Sequence, residues 1–206
     1  MSDAGNAGEE RSRLWLVRHG ATEWSESGRH TGSTDIPLTD AGRVHARALG
    51  RRLAGRSFAV VLTSPLERAR ETCRIAGLDA TARVEPDLRE WDYGEYEGRT
   101  TEQIRRHDPG WTIWTGRVPG GEGIEEVAAR ARRVIDEVAG VDGDVALFAH
   151  GHILRVLAAC WLQLPADAGQ LFALDTASLS VLGHEHETRV ISSWNEDATL
   201  VEKPIA

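Results

Sequence analysis

Three short polar stretches hold the side chains best suited to chemistry in this sequence. They are Arg18-His19-Gly20, the spaced pair Ser64 and Arg68, and His150-Gly151-His152. Brought together, they would set two guanidinium groups and two imidazoles around one point. Such a cluster repels itself unless an anion occupies it. Guanidinium groups present paired, planar donors that match phosphate oxygens, and helix N-termini add amide donors. A histidine in that setting can act as nucleophile or proton carrier. Each stretch alone is a weak signal, because a single His after a strand is commonly structural.

Each of the three follows an apolar run of strand length. Residues 14–17, 58–62 and 144–149 read as buried strands that break at these polar sequences. Between them a helical pattern opens at Thr39-Asp40 and runs to about Ala54. Ser64-Pro65-Leu66-Glu67 reads as a capping box that starts a helix at residue 65. Val84 falls in a short strand, and Thr100 to Gln103 can cap a short helix. Residues 122–138 and 153–162 show apolar side chains at helical spacing. Residues 178–182 and 189–192 close the pattern as strands. Strands alternating with helices imply an α/β fold, a three-layer α/β/α sandwich on a mostly parallel sheet. Ligands in such sheets bind beyond the carboxyl ends of strands, where the three polar stretches fall.

The chain has 206 residues, 41% hydrophobic and 27% charged, which suits a globular protein that needs no disulfide or metal staple. Its formal charge of −8 argues against a nucleic-acid surface. No apolar run approaches membrane-spanning length. Lys203 is the single lysine, so arginine dominates the basic residues and a lone Arg near a site says little. Cys73 and Cys160 form neither a disulfide framework nor a metal knuckle, which suits a reducing compartment. Residues 1–12 are small and polar and lack the apolar core of a signal peptide. They read as a frayed tail before a single domain, residues 13–206, in the cytoplasm.

From Leu14 to about Leu182 the sequence resembles the histidine phosphatase (phosphoglycerate mutase-like) superfamily. The resemblance rests on Arg18-His19-Gly20, on Arg68 within Thr63-Ser64-Pro65-Leu66-Glu67-Arg68, on Glu90 within Glu90-Trp91-Asp92-Tyr93-Gly94, and on His150-Gly151. Segments 24–42 and 90–98 are similar to a phosphatase subgroup that includes actinobacterial acid phosphatases and sedoheptulose-1,7-bisphosphatase-like enzymes. The resemblance implies that His19 attacks phosphorus to form a phosphohistidine, while Arg18, Arg68 and His150 hold the phosphoryl oxygens. Glu90 would protonate the leaving alkoxide and then deprotonate water; Asp92, Glu95 and Glu97 lie near it in sequence, where any could be solvated surface, and the family position favours Glu90. Substrate contacts are implied for Ser25, Thr31, Gly32, Gly151, Glu122 and His152. Ser25 stands where the mutases commonly have Asn, and Gly123 stands where a Ser is common.

No metal or cofactor is implied, and the expected partner is a small phosphorylated substrate, sugar bisphosphates included. Nucleic acid and membrane are not expected, and relatives allow a monomer or a homodimer. Two alternatives remain open. One is a cofactor-dependent phosphoglycerate mutase, although family mutases carry a longer basic insertion where only 21 residues separate Gly98 from Gly120 here. The other is a non-catalytic phospho-ligand binding domain. His184 and His186 are a zinc pair or a solvated turn, with no third ligand in view. Trp24, Trp111 and Trp114 belong to the cleft wall or to the core.

Overall fold

The apolar runs become strands of one six-stranded sheet in the computed structural model, which describes residues 12–199. In chain order the elements are β1 (Leu14–Arg18), α1 (Glu23–Glu26), α2 (Asp40–Leu53), β2 (Val60–Thr63), α3 (Glu67–Ile75), β3 (Ala82–Val84), α4 (Thr101–Arg105), α5 (Ile124–Val138), β4 (Val145–Ala149), α6 (Gly151–Trp161), β5 (Ser178–Glu185) and β6 (Thr188–Asp197). The strand order is β3-β2-β4-β1-β5-β6. β3, β2, β4 and β1 run parallel, β5 opposes β1, and β6 opposes β5.

Alternation along the strands sorts side chains to two faces. Leu14 and Leu16 of β1, with Val145, Leu147 and Ala149 of β4, pack with Val127, Val134 and Ile135 of α5 and Ile153, Leu154 and Leu157 of α6. Trp15, Val17, Ala146 and Phe148 point the other way, onto Leu49 and Leu53 of α2 and Cys73 of α3. This is the three-layer sandwich expected from the alternating elements. Both cysteines are buried and free. Among the described residues no helix is long and apolar enough to cross a membrane.

Local chemistry sets the element ends. Thr39 Oγ1 accepts the Gly42 amide at 3.0 Å and starts α2. The expected helix start at residue 65 is corrected: α3 begins at Glu67 with no side-chain cap from its own N-cap residue. The Ser64 hydroxyl is drawn to His150 Nε2 at 2.7 Å and reaches only the Leu66 amide, at 3.3 Å. Asp35 Oδ1 instead accepts the Glu67 amide at 2.9 Å, a cap delivered from a distant loop. Helix α5 begins two residues after Glu122, whose carboxylate is held by Arg130. The turn after β1 lies directly on the first turn of α2. A Cβ on Gly20 would sit 2.6 Å from the Gly42 carbonyl oxygen, and one on Gly42 would sit 2.3 Å from that of Ala21, so neither position admits a side chain without backbone movement.

Ser12, read as the end of the tail, is half-buried, and its hydroxyl donates to the Val141 carbonyl. The rest of that segment lies outside the described residues.

Candidate active site

The register of the parallel strands gathers the polar stretches. Arg18 pairs with Ala149, and Thr63 pairs with Phe148. Residues 19, 64 and 150 therefore leave the sheet as neighbours, and the His19 and His150 rings lie 5.1 Å apart. The His19 main chain is pinned on both sides, its N–H to Ala149 and its carbonyl accepting from Ala177.

His19 is 5% exposed. Its Nδ1 lies 2.7 Å from the Gly20 carbonyl oxygen, which can only accept, so Nδ1 carries the proton and Nε2 carries the lone pair. Burial, reinforced by Arg68 and Arg18, holds the imidazole well below its usual pKa. His150 is the mirror case. Arg68 Nε donates to its Nδ1 at 3.1 Å, so its proton is on Nε2, directed at Ser64 Oγ. Burial, then Arg68 and His19, lowers its pKa too. The cluster thus contains two cations and two neutral imidazoles, which eases the self-repulsion expected of four charges.

The two arginines differ. Arg68 is fully buried and donates to the carbonyls of Thr31, Gly32 and Thr34 as well as to His150. Four of its five N–H groups therefore serve the protein's own acceptors. Arg18 donates through Nη1 to the Leu174 carbonyl, but its buried Nε has no partner among the described residues. An unpaired buried guanidinium donor is costly, and an anion's oxygen at that atom would satisfy it.

Glu90 is 6% exposed and clasps the start of α6. Oε1 accepts the amides of Trp91 and Ile153 and Oε2 that of His152, all at 3.0 Å. Carboxylates are favoured at helix N-termini, where amides are unpaired. The neighbouring acids have other tasks: Glu97 accepts from the Gly32 and Thr34 amides, Asp92 accepts from Gly94, and Glu95 is exposed.

A cavity of about 180 Å³ opens at these groups, lined by Arg18, His19, Glu90, Tyr93, His152 and Arg155 among others. Residues 14–197 match the family described as histidine phosphatase superfamily (branch 1). The chain belongs to that superfamily. It is 41% identical over 191 residues to an acid phosphatase of Mycobacterium tuberculosis, covering 90% of this chain and 93% of that one. It is 36% identical over 184 residues to a sedoheptulose 1,7-bisphosphatase of Saccharomyces cerevisiae, covering 74% and 68%. Its fold is similar to a mycobacterial glucosyl-3-phosphoglycerate phosphatase solved with VO3, with a TM-score of 0.80 and 31% identity, covering 89% and 98%.

In this histidine phosphatase the cavity brings together Arg18, His19, Ser25, Thr31, Glu90, Gly151 and His152 from the sequence-derived set. Arg68, His150, Gly32 and Glu122 are not among its lining residues. His150 lies near the lining His19 and accepts from Arg68, which in turn donates to the loop at 31–34. Gly32 is held between Glu97 and Arg68. Glu122 pairs with the buried Arg130 at 2.7 Å, with Arg89 at 3.1 Å and with the Asp92 amide. That pairing, not distance along the chain, takes Glu122 out of the set of groups open to a substrate.

Arg130 is a supporting residue the sequence reading missed. It donates to the carbonyls of Asp87 and Arg89, reaches that of Glu90 at 3.4 Å, and so fixes the backbone that carries Glu90. Arg155 and Tyr93 were also missed as lining residues. Trp111 and Trp114 are buried; Trp114 carries the Arg155 guanidinium at 4.5 Å from its ring, and Arg29 lies 6.0 Å from the Trp24 ring. His184 packs on Trp161 at 5.1 Å, while His186 is exposed in the turn after β5. Among the described residues no three His, Cys, Asp or Glu side chains gather as a metal site.

Proposed function

We propose that this histidine phosphatase hydrolyses small phosphomonoesters in two steps, with His19 as nucleophile and Glu90 as proton carrier. The observation that carries this reading is the 2.7 Å contact of His19 Nδ1 with the Gly20 carbonyl, which leaves Nε2 unprotonated in a cavity shared with Arg18 and Glu90. Nε2 forms the bond to phosphorus, the ester oxygen departs with its electron pair, and Glu90, entering the step as the neutral acid, gives that oxygen its proton and becomes the carboxylate. Water then attacks the phosphohistidine, Glu90 takes its proton, and phosphate leaves. Arg18 Nε meets one phosphoryl oxygen, and the remaining Arg68 N–H meets another. His150 Nε2–H exchanges Ser64 for the phosphate as charge develops. Ser25 of α1, Thr31 and Gly151 wall the substrate.

The named relatives support small phosphorylated metabolites as substrates, sugar bisphosphates among them. The short stretch between Gly98 and Gly120 supports release to water over the internal return of a mutase. Two buried free cysteines support a cytoplasmic setting, and the family match over residues 14–197 supports one domain.

The test is rapid quench with a ³²P-labelled phosphomonoester. An acid-labile phosphoenzyme is expected on the native protein and absent from His19→Ala, with turnover down by more than about a hundredfold. Phosphoenzyme retained in His19→Ala would overturn the assignment. A coupled mutase assay running faster than phosphate release would favour the mutase.

A further inference from the structure

Three imidazoles line the cavity, those of His19, His30 and His152; His30 Nε2 faces the Thr101 hydroxyl at 3.3 Å, and the other two each have one ring nitrogen held close. For His19 the holder is the Gly20 carbonyl. For His152 it is Tyr93, whose phenol oxygen lies 2.7 Å from Nδ1. Tyr93 is 2% exposed and its hydroxyl makes no other hydrogen bond among the described residues. A buried hydroxyl hydrogen left without an acceptor is destabilising, and His152 Nδ1 is the acceptor within reach. Tyr93 therefore donates, and the single proton of the neutral His152 ring resides on Nε2.

The surroundings keep both partners in these roles. Burial, followed by the nearby Glu90 charge, pushes the Tyr93 phenol well above its usual pKa. Burial, reinforced by Arg155, His30 and Arg18, holds His152 well below its own. The ring is fixed between Trp114 at 5.3 Å and Trp91 at 6.2 Å. Its main-chain N–H donates to Glu90 Oε2, the oxygen that also lies 3.8 Å from Nδ1. Among the described residues Nε2 has no hydrogen-bond partner, and it is not sealed from solvent, so it opens on the cavity His152 lines. A fixed donor thus stands beside the carboxylate that meets the ester oxygen.

We propose that Tyr93 sets the tautomer of His152 so that Nε2–H donates to a hydroxyl of the leaving group, selecting phosphate esters of polyols over esters of simple alcohols. The proposal rests on the phosphatase reading of the cavity. Tyr93 acts as a positioning residue, and His152 as the group that touches substrate. Without the phenol, the ring proton moves to Nδ1, toward Glu90 Oε2, and Nε2 becomes an acceptor.

Glycerol 1-phosphate and propyl phosphate test this, because their leaving groups are both alkoxides and differ in hydroxyls. The native protein is expected to prefer glycerol phosphate in kcat/KM by roughly 10- to 100-fold, the scale of one neutral hydrogen bond whose loss strands a donor. His152→Phe is expected to reduce that preference below about threefold, whereas Tyr93→Phe, which keeps the ring packed on His30 at 4.8 Å, is expected to retain part of it, because a hydroxyl can also donate to an unprotonated Nε2. ¹⁵N-histidine NMR is expected to place the His152 proton on Nε2 in the native protein and on Nδ1 in Tyr93→Phe. The proposal is overturned by a native enzyme without the preference, by a preference that survives in His152→Phe, or by a native His152 protonated on Nδ1. All three outcomes leave the His19 phosphoenzyme in place, whereas failure of the phosphatase reading removes it with both substrates.

Discussion

Acidification should destabilise this protein in part through His30, and the size of that part follows from the structure. His30 is 9% exposed, with its ring 4.8 Å from Tyr93 and 5.5 Å from Trp111. Burial pushes its pKa down to about 4, while an unfolded histidine titrates near 6.5. Between those values the unfolded chain takes up a proton that the native ring refuses. Stability contributed by the neutral ring is thus complete above about 6.5, falls as pH drops, and levels off below about 4. The whole shift corresponds to about 3 kcal/mol, and the part lost between pH 7.5 and 5 is about 2 kcal/mol. With a urea dependence of about 2 kcal/mol per molar, that is a midpoint change of about 1 M. The assay is urea unfolding at both pH values for the native protein and for His30→Gln. Histidines 19, 150 and 152 are common to both, so the difference between the two midpoint changes isolates His30. The variant should lose about 1 M less than the native protein. Equal losses in the two proteins would refute the reasoning.

Glu90→Gln should lose stability as well as turnover, because an amide cannot accept at both positions that the three N–H groups address. A cost of about 1–3 kcal/mol is expected, or a fall in Tm of roughly 3–10 °C; an inactive variant with unchanged Tm would contradict it. Arg130→Met should destabilise by about 1–3 kcal/mol, because the half-buried Glu122 carboxylate keeps only Arg89 and the Asp92 amide and the Asp87 and Arg89 carbonyls lose their donor, read by chemical denaturation. It should also lower kcat more than it raises KM, because Arg130 holds the Glu90 backbone, and a change confined to KM would count against that link. The lowered pKa of His19 keeps the nucleophile neutral into mildly acidic solution, so any acidic limb of kcat/KM set by His19 should lie below the usual histidine value of about 6.5. An acidic limb at or above 6.5 that is traced to His19 by NMR titration would contradict the buried, neutral ring.

Residues whose signal is local were legible in the sequence. Apolar runs of strand length and the polar breaks after them located His19 and His150, and the in-register parallel pairing brought them together. The Ser64 capping box misled because the motif describes a hydroxyl free to turn back on its own helix, whereas a neighbouring strand supplies a competing imidazole. Arg155 had a usable signal: it lies four residues after Gly151, on the same face of α6. Tyr93 and Leu174 had none, since irregular segments lack a period. The later part of β6 was hidden because half-buried polar residues of an edge strand break the apolar alternation, with Asn195 in a left-handed conformation.

The loop at 31–34 is gripped from two directions, its carbonyls by Arg68 and its amides by Glu97. A wall built in advance has little freedom left to surrender when a ligand arrives, so association need not wait for a rearrangement of that segment. Capture of substrate then depends on collision and on the local field of Arg18. The same rigidity has an evolutionary side. New leaving groups are accommodated more readily by exchanging side chains around His152 and Arg155 than by reshaping a loop whose main chain is bound on both edges.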